Sequence, residues 1–317
     1  MILPIGTVAM QLQANPQLPP VFPSPSATPV SERSLLSAGL NAIVARAQAK
    51  TGGTLGVVIV DLGTGVTVER NGDAAFPLAS VHKLALAVCA YAAIDAGTLT
   101  TDETVELAPS DIVRTVSPIA PEYARGRRSY AVRELIARML LESDNTAADA
   151  LYRLLGGAAG LNDRLRALGI DGIVYRTNEA GLIEDAANGR TFARGGDNAG
   201  TPASVASLLG ALETGHILSP ASRTALLATL GRVQTSPGRL RSGFPPETDL
   251  AHKTGTSETI GGTTDATNDA GIARVNRRSI VIVAMLAHAR GTSAERDAIL
   301  ASVARLAYDA TRLFPMR

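Results

Sequence analysis

Strand-like segments occupy both ends of the foldable part of this chain and helical ones fill the middle. That order restricts the fold to a sheet assembled from the two termini, with a helical body inserted between them. From Ser31 to about Lys50 a helix is expected, with Leu35, Leu36, Leu40, Ile43, Val44 and Ala47 on one face. Thr54–Asp61 and Val66–Arg70, separated by Leu62-Gly63-Thr64-Gly65, predict a hairpin. Helical patterns dominate from 80 to about 230, including a stripe of Val132, Leu135, Ile136, Met139 and Leu140. Thr201-Pro202 and Ser219-Pro220 each place a capping residue before a proline at the first helical position. Strands return at Asp249–Thr254, Gly271–Val275 and Ser279–Ala287, and a last helix is expected over 293–313. The expected class is α/β (α+β): an antiparallel sheet flanked by helices, with an α/β part at 31–78 and 222–317 and an all-helical part at 79–221.

Residues 1–30 are left out of that fold. Met1 to Ala14 is mildly apolar but lacks a basic leader and contains Pro4, so it reads as an atypical or truncated export signal. Residues 15–30 form a Pro/Ser-rich linker. The most apolar run, Leu84 to Ile94, is too short to span a bilayer and reads as a buried helix, so no stable membrane insertion is expected. A net charge of +1, with no basic stripe or stacking series of aromatics, excludes nucleic acid as a natural partner. The single cysteine, Cys89, lies in an apolar run and reads as a core residue. Nothing in the sequence calls for more than a monomer.

Lysine is where the chemistry shows. Only Lys50, Lys83 and Lys253 occur, and every other basic residue is arginine. Arginine cannot surrender its proton in a protein whereas a buried lysine can, so a lysine kept beside a serine suggests proton transfer. Lys83 closes Ser80-Val81-His82-Lys83, and Lys253 opens Lys253-Thr254-Gly255. Between them lies Ser143-Asp144-Asn145. Each motif alone is weak, yet on this composition the joint chance of all three is on the order of 10⁻⁴. The start of a buried helix, a turn between helices and a sheet strand are the three settings, which permits convergence on one cleft.

From about residue 35 to 313 the sequence resembles the class A serine β-lactamases. Ala251-His252-Lys253-Thr254-Gly255-Thr256-Ser257, Thr267-Asn268-Asp269-Ala270-Gly271-Ile272 and Ser117-Pro118 extend the likeness beyond the three motifs. The resemblance implies a β-lactamase/transpeptidase-like fold, a small-molecule β-lactam substrate, no cofactor and a periplasmic or secreted location. It implies Ser80 as the nucleophile, Lys83 as its proton partner, and the N–H groups of Ser80 and Thr256 as the oxyanion hole. Ser143 would protonate the departing nitrogen and Asn145 would bond the substrate's side-chain amide. Lys253, Thr254, Gly255 and Thr256 would form the substrate-binding strand, with the lysine and threonines holding the carboxylate and Arg239 reinforcing them; a solvated surface arginine is the other reading of Arg239.

Hydrolysis of the acyl-enzyme needs a carboxylate. Glu179, 36 residues after Ser143 in Thr177-Asn178-Glu179-Ala180, has the family separation, and its Asn-Glu-Ala context resembles the extended-spectrum branch. Many members carry an asparagine four residues after this glutamate to help hold the water, and here Ile183 stands in that place. Glu184 is the rival, because Glu184-Asp185-Ala186-Ala187-Asn188 restores the Glu-x-x-x-Asn spacing. A penicillin-binding peptidase or a non-hydrolysing β-lactam sensor shares the three motifs and is the alternative function. His82 and His252 read as packing or solvent-facing residues, His216 and His288 are isolated, and no zinc-binding spacing occurs.

Overall fold

The computed structural model describes residues 31–188 and 198–315. The export-signal-like stretch and linker at 1–30, and residues 189–197 of the loop after Glu179, lie outside the described residues. The main sheet is antiparallel throughout, in the order Thr67–Arg70, Thr54–Asp61, Arg278–Ala289, Thr263–Val275, Asp249–Thr256. A short strand, Thr259–Ile260, pairs with the start of Thr263–Val275. Its first two members come from the front of the chain and the rest from the back, as the sequence order implies.

Alternation divides the sheet's residues between two cores. Leu55, Val57, Ile59, Ile282, Ala284 and Leu286 pack with Leu36, Leu40 and Ile43 of the Glu32–Thr51 helix and with Ile299, Leu300 and Val303 of the Ser293–Leu313 helix. Val58, Val281, Val283 and Met285 belong to the other core, with the helical body. Since both faces are covered, Ile280 to Leu286 reads as an unbroken apolar run. Arg278, almost fully buried, pairs with both Asp61 and Glu32 and so ties the last strand to the first strand and first helix.

Helix ends follow local chemistry. Thr201 Oγ1 accepts from Ser204 N (3.0 Å) and Ser219 Oγ from Ser222 N (3.2 Å), with Pro202 and Pro220 next in line. The His82–Asp95 helix is buried on all sides from His82 to Tyr91 and forms the axis of the helical body, against Val132–Leu141 and Asn145–Leu154. The Pro202–Thr214 helix supplies Val205, Leu208 and Leu209 to the core that also holds Val58 and Val283, so helical body and sheet share one apolar cluster.

Two features differ from the sequence expectation. The strand expected at 271–275 begins at Thr263, and the one at 249–254 runs on to Thr256. The added stretch is polar, which hides the strand pattern, and several of its buried groups bond to other elements: Asn268 Nδ2 donates to Pro77 O (2.8 Å) and Asp269 accepts from Leu240 N (3.1 Å). The helical middle also contains short antiparallel pairs, Thr104–Glu106 with Ser129–Ala131, and Ala199–Gly200 with both Phe76–Pro77 and Ile173–Val174. Segments of two or three residues are too short to show a period.

Candidate active site

Ser80 sits in the one-turn 3₁₀ segment Ala79–Val81 that feeds the buried His82–Asp95 helix. Ala79 before it has φ +43°, a left-handed conformation that costs a residue with a Cβ about 1–3 kcal/mol. The strand carrying Lys253 passes immediately beside this turn. A Cβ on Gly255 would lie 2.9 Å from Leu78 O, Ser80 N and Val81 N, so only glycine lets Thr256 and Ser80 share one cleft.

Ser143 lies on the turn between the Val132–Leu141 and Asn145–Leu154 helices, again with positive φ (+58°). Fully buried Asp144 caps the second helix through Ala147 N (2.8 Å) and also accepts from Ile119 N (2.7 Å), which anchors the Ser117-Pro118 loop. Asn145 donates from its backbone to Val116 O (2.9 Å) and from Nδ2 to Thr115 O (3.0 Å). Val116, with φ +44°, stands exposed on the rim.

Lys83 is fully buried, and its Nζ donates to Ser143 O (2.7 Å) and Asn145 Oδ1 (2.6 Å) while pairing with Glu179 Oε1 (2.9 Å). Ser143 Oγ lies 3.2 Å from Lys253 Nζ and 3.4 Å from Lys83 Nζ, between the two ammonium groups. Burial, followed by the charge of Lys83, pulls Lys253 down to about 7. Burial works to raise Glu179, but the Lys83 charge and the His82 hydrogen bond outweigh it and hold this carboxyl well below the usual range.

Glu179 opens the Glu179–Ala187 helix, and a residue that the sequence reading missed fixes its start. Asp149 accepts from Glu179 N (2.6 Å), Ala180 N (3.0 Å) and Asn178 Nδ2 (2.9 Å). Its position four residues after Asn145 places it on the same side of that helix, the one sequence cue available. Burial pushes Asp149 up to about 6. Glu184 lies on the same short helix but is exposed and stands apart from the cleft, whereas Ile183 lines it.

Arg239 is only 2% exposed, which overturns its reading as a solvated arginine. Its Nε pairs with Asp297 (2.7 Å), Nη1 donates to Gly255 O and Asn268 O (both 2.9 Å), and Nη2 donates to Thr256 Oγ1 (2.7 Å). Thr254 Oγ1 bonds Thr235 Oγ1 (2.6 Å). The two histidines beside the motif lysines are buried and paired rather than solvent-facing: His252 with Asp269 (2.9 Å), His82 with Glu179 (3.0 Å).

These groups surround a cavity of about 360 Å³. Ser80, Asn145, Glu179 and Thr256 line its polar side, and Leu182, Ile183 and Ala186 form an apolar wall. Lys83, Ser143, Lys253 and Thr254 stand behind that lining. Among the described residues no cluster of histidine, cysteine and acidic side chains could hold a metal ion. A serine at the head of a helix, a buried lysine one turn on, a second serine between two lysines and a buried carboxylate are the parts that acyl transfer to serine requires.

Comparison with known proteins gives the class its name. Residues 36–311 match the model of the β-lactamase enzyme family. The extended-spectrum β-lactamase PER-1 of Pseudomonas aeruginosa is 32% identical over 238 residues, 74% of this chain and 74% of that protein. A β-lactamase from Chitinophaga pinensis superposes with a TM-score of 0.80 at 32% identity, covering 87% of this chain and 99% of the other. An ancestral class A β-lactamase reaches 34% identity and a TM-score of 0.75, covering 87% and 99%. The chain belongs to the β-lactamase enzyme family, as a class A serine enzyme.

Proposed function

We propose that this enzyme hydrolyses the β-lactam amide of penicillins and cephalosporins through an acyl-enzyme on Ser80, and so confers antibiotic resistance. Ser80 Oγ attacks the lactam carbonyl carbon while its proton passes into the Lys83–Glu179 pair. The oxyanion is received by the N–H groups of Ser80 and Thr256, donors worth about 3–4 kcal/mol each in such sites. As the C–N bond breaks, Ser143 Oγ gives its proton to the nitrogen and is resupplied from the adjoining lysines. Asn145 orients the acyl side chain, and Lys253, Thr254 and Thr256 hold the substrate carboxylate, with Arg239 fixing Thr256 from behind. Glu179 then takes a proton from water, hydroxide adds to the ester carbonyl, and Ser80 leaves as the restored alcohol with the ring-opened acid as product.

The observation carrying this reading is Glu179 on the wall of the cavity that Ser80 also lines, with its Oε1 2.9 Å from Lys83 Nζ. Residues 31–317 act as one catalytic domain, and a monomer suffices because every group named belongs to one chain. The place of action is the periplasm or the medium; no helix among the described residues is long and apolar enough to cross a membrane. The test is intact-protein mass spectrometry after mixing with benzylpenicillin, with product assayed in the same tube. Continuing turnover with a short-lived adduct is the expected result, and a stable one-to-one adduct without product would overturn the hydrolytic reading.

Lys253 also implies a pH dependence. Held at about 7, it is charged below that pH and neutral above it, so a carboxylate-bearing substrate loses its partner as pH rises. KM for benzylpenicillin is expected to rise roughly tenfold between pH 6 and 9, the equivalent of about one pKa unit. In Lys253→Arg the rise should vanish, because arginine stays protonated. Equal KM profiles for parent and variant would show that Lys253 does not titrate against substrate.

A further inference from the structure

His82 is the second residue after the nucleophile, and its side chain contacts the carboxylate that deacylation uses. Its ring is 3% exposed, and Nε2 lies 3.0 Å from Glu179 Oε1. A carboxylate only accepts, so Nε2 carries the hydrogen and donates it. The opposite nitrogen, Nδ1, is buried with no hydrogen-bond partner among the described residues. The ring therefore makes one polar contact with a described residue, and that contact is to Glu179.

Its orientation is set by packing. The imidazole stands edge-on to the Tyr175 ring, with centroids 5.5 Å apart and planes at 89°. Tyr175, buried, donates its hydroxyl to His82 O and clamps the backbone beneath the ring. Both side-chain contacts of Glu179, from His82 and from Lys83, fall on Oε1. Oε2 is thereby left for the water that must be deprotonated. Ile183, which lines the same cavity, can offer that water no hydrogen bond.

We propose that His82 is a positioning residue for deacylation: by fixing Oε1 of Glu179 it sets the orientation of the carboxylate and supplies order that Ile183 cannot. The inference rests on Glu179 as the base. An imidazole suits the task because a rigid ring packed edge-on against Tyr175 donates its N–H in a fixed direction. A carboxylate free to rotate about its terminal bond would still accept a proton but would spend less time aimed at the water, and misplacement of about 1 Å can cost a hundredfold in rate. Acylation, in which Ser80 and the oxyanion donors dominate, would be affected far less.

The test separates the two half-reactions. His82→Phe keeps an aromatic ring against Tyr175 and removes the donor; His82→Gln places an amide N–H where Nε2 was. With benzylpenicillin, His82→Phe should acylate within about threefold of the parent, deacylate at least tenfold more slowly and accumulate adduct; His82→Gln should recover most of the lost rate. Parent-like deacylation in His82→Phe, or equal loss of both steps without recovery in His82→Gln, would overturn the assignment. Should His82→Phe fail to fold, nitrogen-15 spectra of the parent's histidines decide the matter. His82 is expected to carry a hydrogen on Nε2, and finding the hydrogen on Nδ1 alone would refute the contact. Glu179→Ala run alongside distinguishes the two levels of the argument: accumulation there but not in His82→Phe removes only the role of His82, whereas free turnover in Glu179→Ala removes the base itself.

Discussion

Glu179→Ala is expected to form the benzylpenicillin adduct and then to hold it, with deacylation slowed by about 10²–10⁴, the usual contribution of a general base. Acylation survives at a reduced rate because Lys83 remains to take the Ser80 proton and the oxyanion donors stay in place. Lys83 keeps Ser143 O and Asn145 Oδ1 as partners when Glu179 is lost, so the buried ammonium is not stranded. Glu179→Gln, which preserves volume, should trap the same species. Glu184→Ala should turn over like the parent, since that side chain is exposed and lies off the cavity lining. Intact mass against time reads all three variants directly. Adduct accumulating in Glu184→Ala instead would mean that the loop after Asn178 works in a different register from the one its contacts with Asp149 define.

Ser80→Ala should abolish covalent labelling altogether and lower kcat by at least about 10⁴. Binding should persist, because Lys253, Arg239 and Thr256 make no contact that depends on the Ser80 hydroxyl. Penicillin is therefore expected to raise the melting temperature of Ser80→Ala by simple mass action while its mass stays unchanged. Labelling at undiminished stoichiometry would remove Ser80 as nucleophile, and the remaining serine facing the lysines, Ser143, would become the one to examine.

How much of this was legible in the sequence differs from residue to residue. Scarce lysine singled out Lys83 and Lys253, and spacing singled out Glu179, because each signal is local or counted along the chain. The sheet built from both ends was legible through apolar runs at 54–61 and 279–287. What escaped depends on partners remote in sequence. His82 meets Glu179 across 97 residues and Asp149 meets the same glutamate's backbone across 30, and neither carries a motif that points to the other. Arg239 could be suspected from its distance to Lys253, but its burial against Asp297 and Thr256 could not. The strand from 263 to 270 was hidden because its buried residues are polar and bond to groups in other elements, such as Asn268 Nδ2 to Pro77 O and Asp269 to Leu240 N, which pattern reading cannot see.

A sheet made from the two ends of the chain also fixes when, during synthesis, an active enzyme can exist. Thr54–Asp61 takes its central neighbour from Arg278–Ala289, and Arg278 reaches back 217 residues to Asp61. Until that late strand has left the ribosome, the early hairpin has only one neighbour and the apolar side of the first helix has no sheet to cover. Contacts spanning such separations are slow to form because the chain must be closed into large loops first. The serine is thus translated long before the strand bearing Lys253 can lie against it. Only when almost the whole chain is present can Ser80 and the Asp249–Thr256 strand meet, so an incomplete chain lacks the assembled cleft.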